Sequence, residues 1–67
     1  MKNLENFAKN LKTIRLQCGF TQKEIAGKLG IAYQSYQAYE RGIAVPTLQN
    51  FIKLAELLDV SFEDLLE

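Results

Sequence analysis

Two amide side chains and one guanidinium lie close together in residues 32–41, a segment with the spacing of an amphipathic helix. The polar side of this helix would consist of Gln34, Gln37, Ala38 and Arg41. A glutamine amide can both donate to and accept from the edge of adenine, a small residue allows close approach to a base, and an arginine can bind a phosphate. By itself such a face is more often an ordinary solvated one, and together with the two-helix motif described below it indicates a surface that contacts DNA.

Tyrosines at every third position of the same segment, namely Tyr33, Tyr36 and Tyr39, have the spacing of a platform on which bases could stack. On a helical wheel, however, Tyr36 and Tyr39 fall on the side opposite the amides, so packing in the core is the favoured interpretation. Tyr33 lies at the boundary, near the start of the helix. It is the one tyrosine that we expect to contact DNA.

Two short helices joined by a glycine turn are predicted to position this surface. Thr21 and Glu24 have the spacing of a capping box, in which each side chain binds a backbone amide of the other at a helix start. This first helix should run from about Gln22 to Leu29 and end at Gly30, because glycine adopts the left-handed conformation that ends helices. A second helix, from about Ala32 to Arg41, then begins at a steep angle to the first.

Helical periodicity runs through nearly the whole chain, and no stretch alternates regularly enough to predict a strand. The apolar stripe of an N-terminal helix consists of Leu4, Phe7, Ala8, Leu11, Ile14 and Cys18. A helix that starts near Pro46 and Thr47 should bury Leu48, Phe51, Ile52, Ala55 and Leu58. With a short last helix capped by Ser61, the sequence predicts a compact all-α domain of five helices over residues 1–67, with the two-helix motif at residues 21–42.

Arg15 lies inside the apolar stripe of the first helix, four residues after Leu11. A charge buried without a partner would cost several kcal/mol, so a carboxylate should meet it. Glu40 is the best candidate, because it shares the inward side of its helix with Tyr36 and Tyr39. The alternative is that Arg15 extends along its aliphatic stem to water.

Composition limits the function further. A chain of 67 residues has little room for an enclosed active site. It has no histidine and a single cysteine, so we expect no catalysis, no metal site, no other cofactor and no small-molecule ligand. Without a signal segment or an apolar run of membrane-spanning length, a cytoplasmic protein is predicted. Net charge is zero, but residues 1–28 have six basic and two acidic side chains, and residues 29–67 have two and six.

In their order and spacing, these features resemble the lambda-repressor and Cro-like helix-turn-helix family, which is common in bacteria and their phages. The matching sequence is R-L-Q-C-G-F-T-Q-K-E-I-A-G-K-L-G-I from Arg15 to Ile31, then Y-E-R-G, P-T-L and D-V-S-F-E-D-L-L. The resemblance covers nearly the whole chain. It implies a five-helix transcriptional regulator, a repressor in particular, that binds a palindromic operator in double-stranded DNA as a homodimer, with the second helix of the motif in the major groove.

Site residues follow from the resemblance position by position. Gln22 would lie against a phosphate and also brace the recognition helix. The residues expected to face the bases are Tyr33, Gln34, Gln37 and Ala38. Ala32, at the start of the same helix, is also expected at the DNA surface and stands where relatives often have Ser or Thr as a cap. Arg15 and Glu40 match a paired Arg and Glu.

The last helix has more apolar residues than so short a helix can bury, namely Phe62, Leu65 and Leu66. Relatives dimerise through this region, and the resemblance therefore implies a dimer interface within residues 57–67 that places two recognition helices about 34 Å apart.

Two other functions remain open. A helical module on the same fold could bind a protein instead, as an antitoxin or an antagonist of another regulator would, and the zero net charge favours it. RNA binding through the G-x-x-G sequence of residues 27–30 is weaker, because the KH domains that use this loop also need strands.

Overall fold

Five helices follow one another in the computed structural model, which describes residues 2–67 and the side chains from Glu5 onward. They are α1 (Lys2–Cys18), α2 (Gln22–Leu29), α3 (Tyr33–Arg41), α4 (Leu48–Leu58) and α5 (Phe62–Leu66). The described residues contain no strand, so the predicted all-α fold with five helices is confirmed. None of the described helices is long and apolar enough to cross a membrane.

Local sequence signals set both ends of α2. The Thr21 hydroxyl accepts a hydrogen bond from the Glu24 amide at 3.1 Å, and the Glu24 carboxylate accepts one from the Thr21 amide at 2.8 Å. This is the predicted capping box. At the other end Gly30 has a φ of 72°, a conformation in which a β-carbon would be strained. The chain therefore leaves α2 at Gly30 and starts α3 three residues later.

The first residue of α3 is Tyr33, one position later than predicted. Ala32 has an extended backbone, with φ −65° and ψ 146°, and is the N-cap. Its side chain makes no capping hydrogen bond. Because a polar cap typically contributes about 1 kcal/mol, α3 begins without a stabilising contact that α2, α4 and α5 have.

The core forms around α1, which contacts α3, α4 and α5, while α2 packs on α3 and α4. The largest fully buried side chains of the core are Tyr36, Leu11, Ile25, Leu54 and Leu65. From the predicted stripe of α1, Phe7, Ala8 and Leu11 are buried and Ile14 is partly buried. Leu4 belongs to the same stripe, but it lies outside the described side chains.

Cys18 was expected at the end of that stripe and is exposed instead. It is the last residue of α1, and the helix ends at Gly19, whose φ is 81°. Its sulfur lies 3.7 Å from the Leu58 carbonyl of α4, but the side chain is not enclosed by the core.

The buried side of α4 differs from the predicted one. Leu54 is fully buried beside Ala55 and Leu58, whereas Leu48 is 74% exposed and Ile52 is 39% exposed. The helix is apolar on more than one side, so periodicity alone does not decide which side faces α1 and α2. The prediction that Leu48 and Ile52 belong to the core is wrong, and both residues form part of the surface.

The predicted dimer residues of α5 also need correction. Leu65 is 0% exposed and belongs to the core of its own chain, because α5 packs closely on α1, and the Asn10 amide donates to the Leu65 carbonyl at 3.2 Å. Leu65 therefore has no surface left for a second copy. Leu66 is partly buried against the core. Phe62 is 47% exposed, with its ring 5.2 Å from that of Phe51.

Candidate nucleic-acid interface

The two sides of α3 have different environments. Tyr36 and Tyr39 are 0% and 7% exposed, and their rings meet edge to face with centroids 6.1 Å apart. Neither ring is available for stacking on a base, since both are enclosed in the core. Of the side chains that the sequence assigns to the opposite side, Gln34 and Arg41 are exposed, and Gln37 and Ala38 are partly buried.

The start of α3 lies beside the start of α2. The Tyr33 hydroxyl is 3.4 Å from Oε1 of Gln22, and the Lys23 ammonium is 5.4 Å from the centre of the Tyr33 ring. These three residues line an open groove that continues to the end of α1. Ala32, the N-cap of α3, is exposed. The fold therefore brings together predicted contact residues from both helices of the motif.

Arg15 extends from α1 to α3 and forms an ion pair with Glu40. Nε of Arg15 lies 2.6 Å from Oε2 of Glu40, and Nη2 lies 3.2 Å from Oε1, so the contact is bidentate. Nη1 donates to the Phe20 carbonyl at 2.8 Å. The two charged side chains are 8% and 4% exposed. Arg15 thus does not extend to water, and its charge is met within the chain.

Two more donors reach the same carboxylate. The Tyr36 hydroxyl donates to Oε2 of Glu40 at 2.5 Å, and Nε2 of Gln22 donates to Oε1 at 3.0 Å. Among the described residues, no buried side-chain nitrogen or oxygen lacks a hydrogen-bond partner. Arg15, Gln22, Tyr36 and Glu40, here called the Glu40 network, join α1, α2 and α3. The network therefore holds the two helices of the motif at a fixed angle.

The network determines the charge state of each member. Burial by itself raises the pKa of Glu40, but hydrogen bonds from Arg15 and then from Tyr36 outweigh it and hold that pKa below the usual range. The hydrogen bond to Glu40 raises the pKa of Arg15. Burial, followed by the hydrogen bond to Glu40, raises the pKa of Tyr36 far above its usual value. At neutral pH the network contains a carboxylate, a guanidinium and a neutral phenol.

Sequence reasoning missed two contacts of this site. The first is the Tyr36 hydroxyl on Glu40, for which a signal existed: a buried tyrosine needs a partner for its hydroxyl, and Glu40 lies four residues later on the same helix. The second is Lys23 over the Tyr33 ring. Nothing in the sequence distinguishes Lys23 apart from its position next to Gln22.

Charge on the surface of the motif differs from the zero net charge of the chain. The exposed charged side chains of α2 and α3 are Lys23, Lys28, Arg41 and Glu24. The one other acid there, Glu40, is buried in its ion pair. Most acidic residues of the second half lie on α4, α5 and their flanks. This surface therefore has an excess of positive charge that can attract phosphates.

No group of three or more His, Cys, Asp or Glu side chains that could hold a metal ion occurs in the described part of the chain. Cys18 lies apart from the motif surface, with its sulfur 3.7 Å from the Leu58 carbonyl.

Known proteins are similar to this chain in both sequence and fold. A family model described as helix-turn-helix matches residues 11–65. An uncharacterized HTH-type transcriptional regulator of Bacillus subtilis, YqaE, is 43% identical over 61 residues, which cover 91% of this chain and 53% of the relative. The cryptic phage CTXphi transcriptional repressor RstR of Vibrio cholerae is 37% identical over 65 residues, which cover 97% of this chain and 54% of the relative. The chain spans about half the length of these curated relatives.

Two solved structures superpose closely on the five helices. The SOS-response transcriptional repressor LexA from Eubacterium rectale matches with a TM-score of 0.91 at 30% identity, over 100% of this chain and 71% of that protein. The restriction-modification controller protein C.AhdI from Aeromonas hydrophila matches with a TM-score of 0.85 at 29% identity, over 97% of this chain and 98% of that protein. These relatives are named as regulators rather than enzymes. Because the family match covers most of the chain and includes both helices of the motif, this protein belongs to the helix-turn-helix family.

Proposed function

We propose that this chain is the sequence-specific, double-stranded DNA-binding domain of a transcriptional repressor, and that α3 is its recognition helix. The observation that supports this function best is the difference between the two sides of α3. Tyr36 and Tyr39 attach one side to the core, while Gln34 and Arg41 on the other side remain uncovered. A helix is about 10–12 Å wide with its side chains, which suits a major groove about 12 Å wide.

Each contact residue has a role that its chemistry supports. Gln34 and Gln37 read base edges, and Ala38 allows close approach to a base or contacts a thymine methyl group. Arg41 binds a phosphate. Gln22 uses one N–H on Glu40 and keeps a second for a phosphate, so it both braces α3 and positions the domain on DNA.

The proposed operator is palindromic, and the proposed protein is a homodimer. An exposed apolar surface supports dimerisation: Leu48 and Ile52 lie one turn apart on α4, and Ile52 and Phe62 line the same groove between α4 and α5. This α4–α5 surface, defined by Leu48, Ile52 and Phe62, replaces the contact in which Leu65 was expected to take part. A two-fold axis through this surface would place it against the same surface of a second copy.

Selection of bound sites from a random duplex library tests the function directly. The expected product is a palindrome whose half-sites are about 10 base pairs apart from centre to centre, one turn of DNA. Enrichment of a single half-site would contradict the homodimer but support the recognition helix. Selection that enriches no sequence would contradict sequence-specific binding.

A protein-binding module on the same fold is the second candidate. The exposed apolar residues of the α4–α5 surface and the zero net charge favour it. An electrophoretic shift assay with random duplex DNA at low salt separates the two functions. A DNA-binding domain shifts the duplex, because phosphate contacts supply non-specific affinity, whereas a module that binds only protein leaves it unshifted.

A further inference from the structure

We propose that the Glu40 network sets the direction of hydrogen bonding at the DNA surface, so that Tyr33 presents an acceptor and selects a base with an exocyclic amino group, adenine or cytosine. This inference deepens the proposed function and rests on it. The direction follows from two hydrogen bonds that are both donated inward: Gln22 donates to Glu40, and Tyr33 donates to Gln22.

Glu40 is the inner end of this series. An ionised carboxylate accepts hydrogen bonds and donates none. The ion pair with Arg15 keeps Glu40 ionised at neutral pH, and only 4% of its side chain is exposed. Any group that faces this carboxylate must therefore be a donor.

The orientation of the Gln22 amide follows from that requirement. Its Nε2 lies 3.0 Å from Oε1 of Glu40. The reversed amide would place a carbonyl oxygen against a carboxylate oxygen, with no hydrogen between them. The carbonyl oxygen of Gln22 is therefore directed away from Glu40, and it lies 3.4 Å from the Tyr33 hydroxyl.

Tyr33 is the outer end of the series. Its hydroxyl has one proton, and donation of that proton to Gln22 leaves only lone pairs for a further partner. At 3.4 Å this is the longest hydrogen bond of the series, and a base that donates to the same oxygen strengthens it, because linked hydrogen bonds polarise one another. Lys23, 5.4 Å from the ring centre, helps to hold the ring in place.

A hydroxyl that accepts discriminates between base edges in the major groove. Adenine N6 and cytosine N4 donate there, whereas guanine O6 and thymine O4 accept. Phosphate oxygens also accept, so a hydroxyl that keeps its proton on Gln22 offers no donor to the DNA backbone. Tyr33 therefore contributes sequence specificity, and the preferred base on the strand it contacts is adenine or cytosine.

The test removes the hydroxyl from the protein and the amino group from the DNA. Wild type and Tyr33→Phe are titrated with the selected site and with each of its single-base variants. The position at which Tyr33→Phe loses discrimination should hold adenine or cytosine. An analogue without the amino group, purine for adenine or 2-pyrimidinone for cytosine, should lower wild-type affinity about 5- to 150-fold and leave the affinity of Tyr33→Phe unchanged.

Two further variants separate this role from a structural one. Tyr39→Phe is the matched control, because it removes a hydroxyl from the buried side of the same helix, and it should retain full discrimination. Glu40→Gln can face Gln22 with either a donor or an acceptor, so discrimination at the Tyr33 position should relax. The titration with base analogues changes no residue of the core. It therefore tests the role of the Tyr33 hydroxyl even if Glu40→Gln does not fold.

Three results would overturn the inference: an equal loss of affinity for Tyr33→Phe on all sequences, selection of guanine or thymine at its position, or an analogue that leaves wild-type affinity unchanged. Each of them leaves the proposed function standing, because wild type would still bind a selected site. Failure of wild type to select any site would overturn both.

Discussion

Nε of Arg15 lies 2.6 Å from Oε2 of Glu40, although 25 positions of sequence separate the two residues. This pair joins the helix that organises the core to the helix proposed to read DNA. Because Gln22 and Tyr36 donate to the same carboxylate, the pair also determines how α2 and α3 meet. Changes in it should therefore affect stability first and DNA binding as a consequence.

Arg15→Ala should destabilise the fold by about 3–5 kcal/mol, because it leaves a buried carboxylate without its counter-charge. Such a loss is comparable to the whole stability of many domains of this size. Urea denaturation measures it. Lys12→Ala, an exposed change on the same helix, is the control and should lie within about 0.5 kcal/mol of wild type. A loss below about 1 kcal/mol for Arg15→Ala would contradict a structural role for the pair.

Stability should fall in acid because the pKa of Glu40 is lower in the folded than in the unfolded chain. The contribution of Glu40 is complete above the unfolded pKa of about 4.3 and is lost as pH falls through the lower, folded value. The stability difference between wild type and Glu40→Gln should therefore be largest near neutral pH and shrink below about pH 4. Urea titrations at a series of pH values measure it. Parallel curves for the two proteins would show that Glu40 contributes no such dependence.

Gln34→Ala should weaken binding to the selected operator by about 1–3 kcal/mol and change non-specific binding little, because a bidentate contact to a base depends on sequence. Fluorescence anisotropy with operator and scrambled duplexes measures both affinities. Gln49→Ala, which removes an exposed amide from α4, is the matched control and should bind like wild type. Equal losses on both duplexes would rule out base reading by Gln34.

Arg41→Ala should weaken binding to every sequence and reduce the slope of log affinity against log salt by about one unit, because one phosphate contact is lost. Titrations at several salt concentrations give the slope. Lys53→Ala removes an exposed cation from α4 and should leave the slope unchanged. A wild-type slope in Arg41→Ala would mean that Arg41 contacts no phosphate.

Leu48→Asp should shift the proposed homodimer to monomer. Leu48 is 74% exposed in the single chain, and the substitution places a charge on the apolar surface that the dimer would bury. Asp suits the first turn of a helix, so the fold itself should be retained. Sedimentation measurements give the association state with and without operator. Leu16→Asp, at an apolar residue of α1 that is 57% exposed, is the control and should still dimerise. A wild-type protein that stays monomeric even on DNA would remove the dimer from the proposal.

The helices and their ends could be predicted from the sequence because their causes are local. Thr21 and Glu24 cap α2 within four residues, and Gly30 supplies a conformation that needs no distant partner. The two-sidedness of α3 also followed from periodicity. Arg15 was recognisable as a charge in an apolar stripe, so even a distant partner could be inferred, because a buried cation requires one.

Other features depended on how the helices pack. α4 has two apolar stripes, and only its position on α1 and α2 decided that Leu54 is buried while Ile52 is exposed. Leu65 was predicted at an interface and lies in the core for the same reason. By itself, the sequence determined where helices form and which groups need partners, since these depend on neighbours along the chain. The tertiary structure alone decided which apolar sides meet and in which direction the hydrogen bonds of Glu40 and Gln22 run, because these depend on groups that folding brings together.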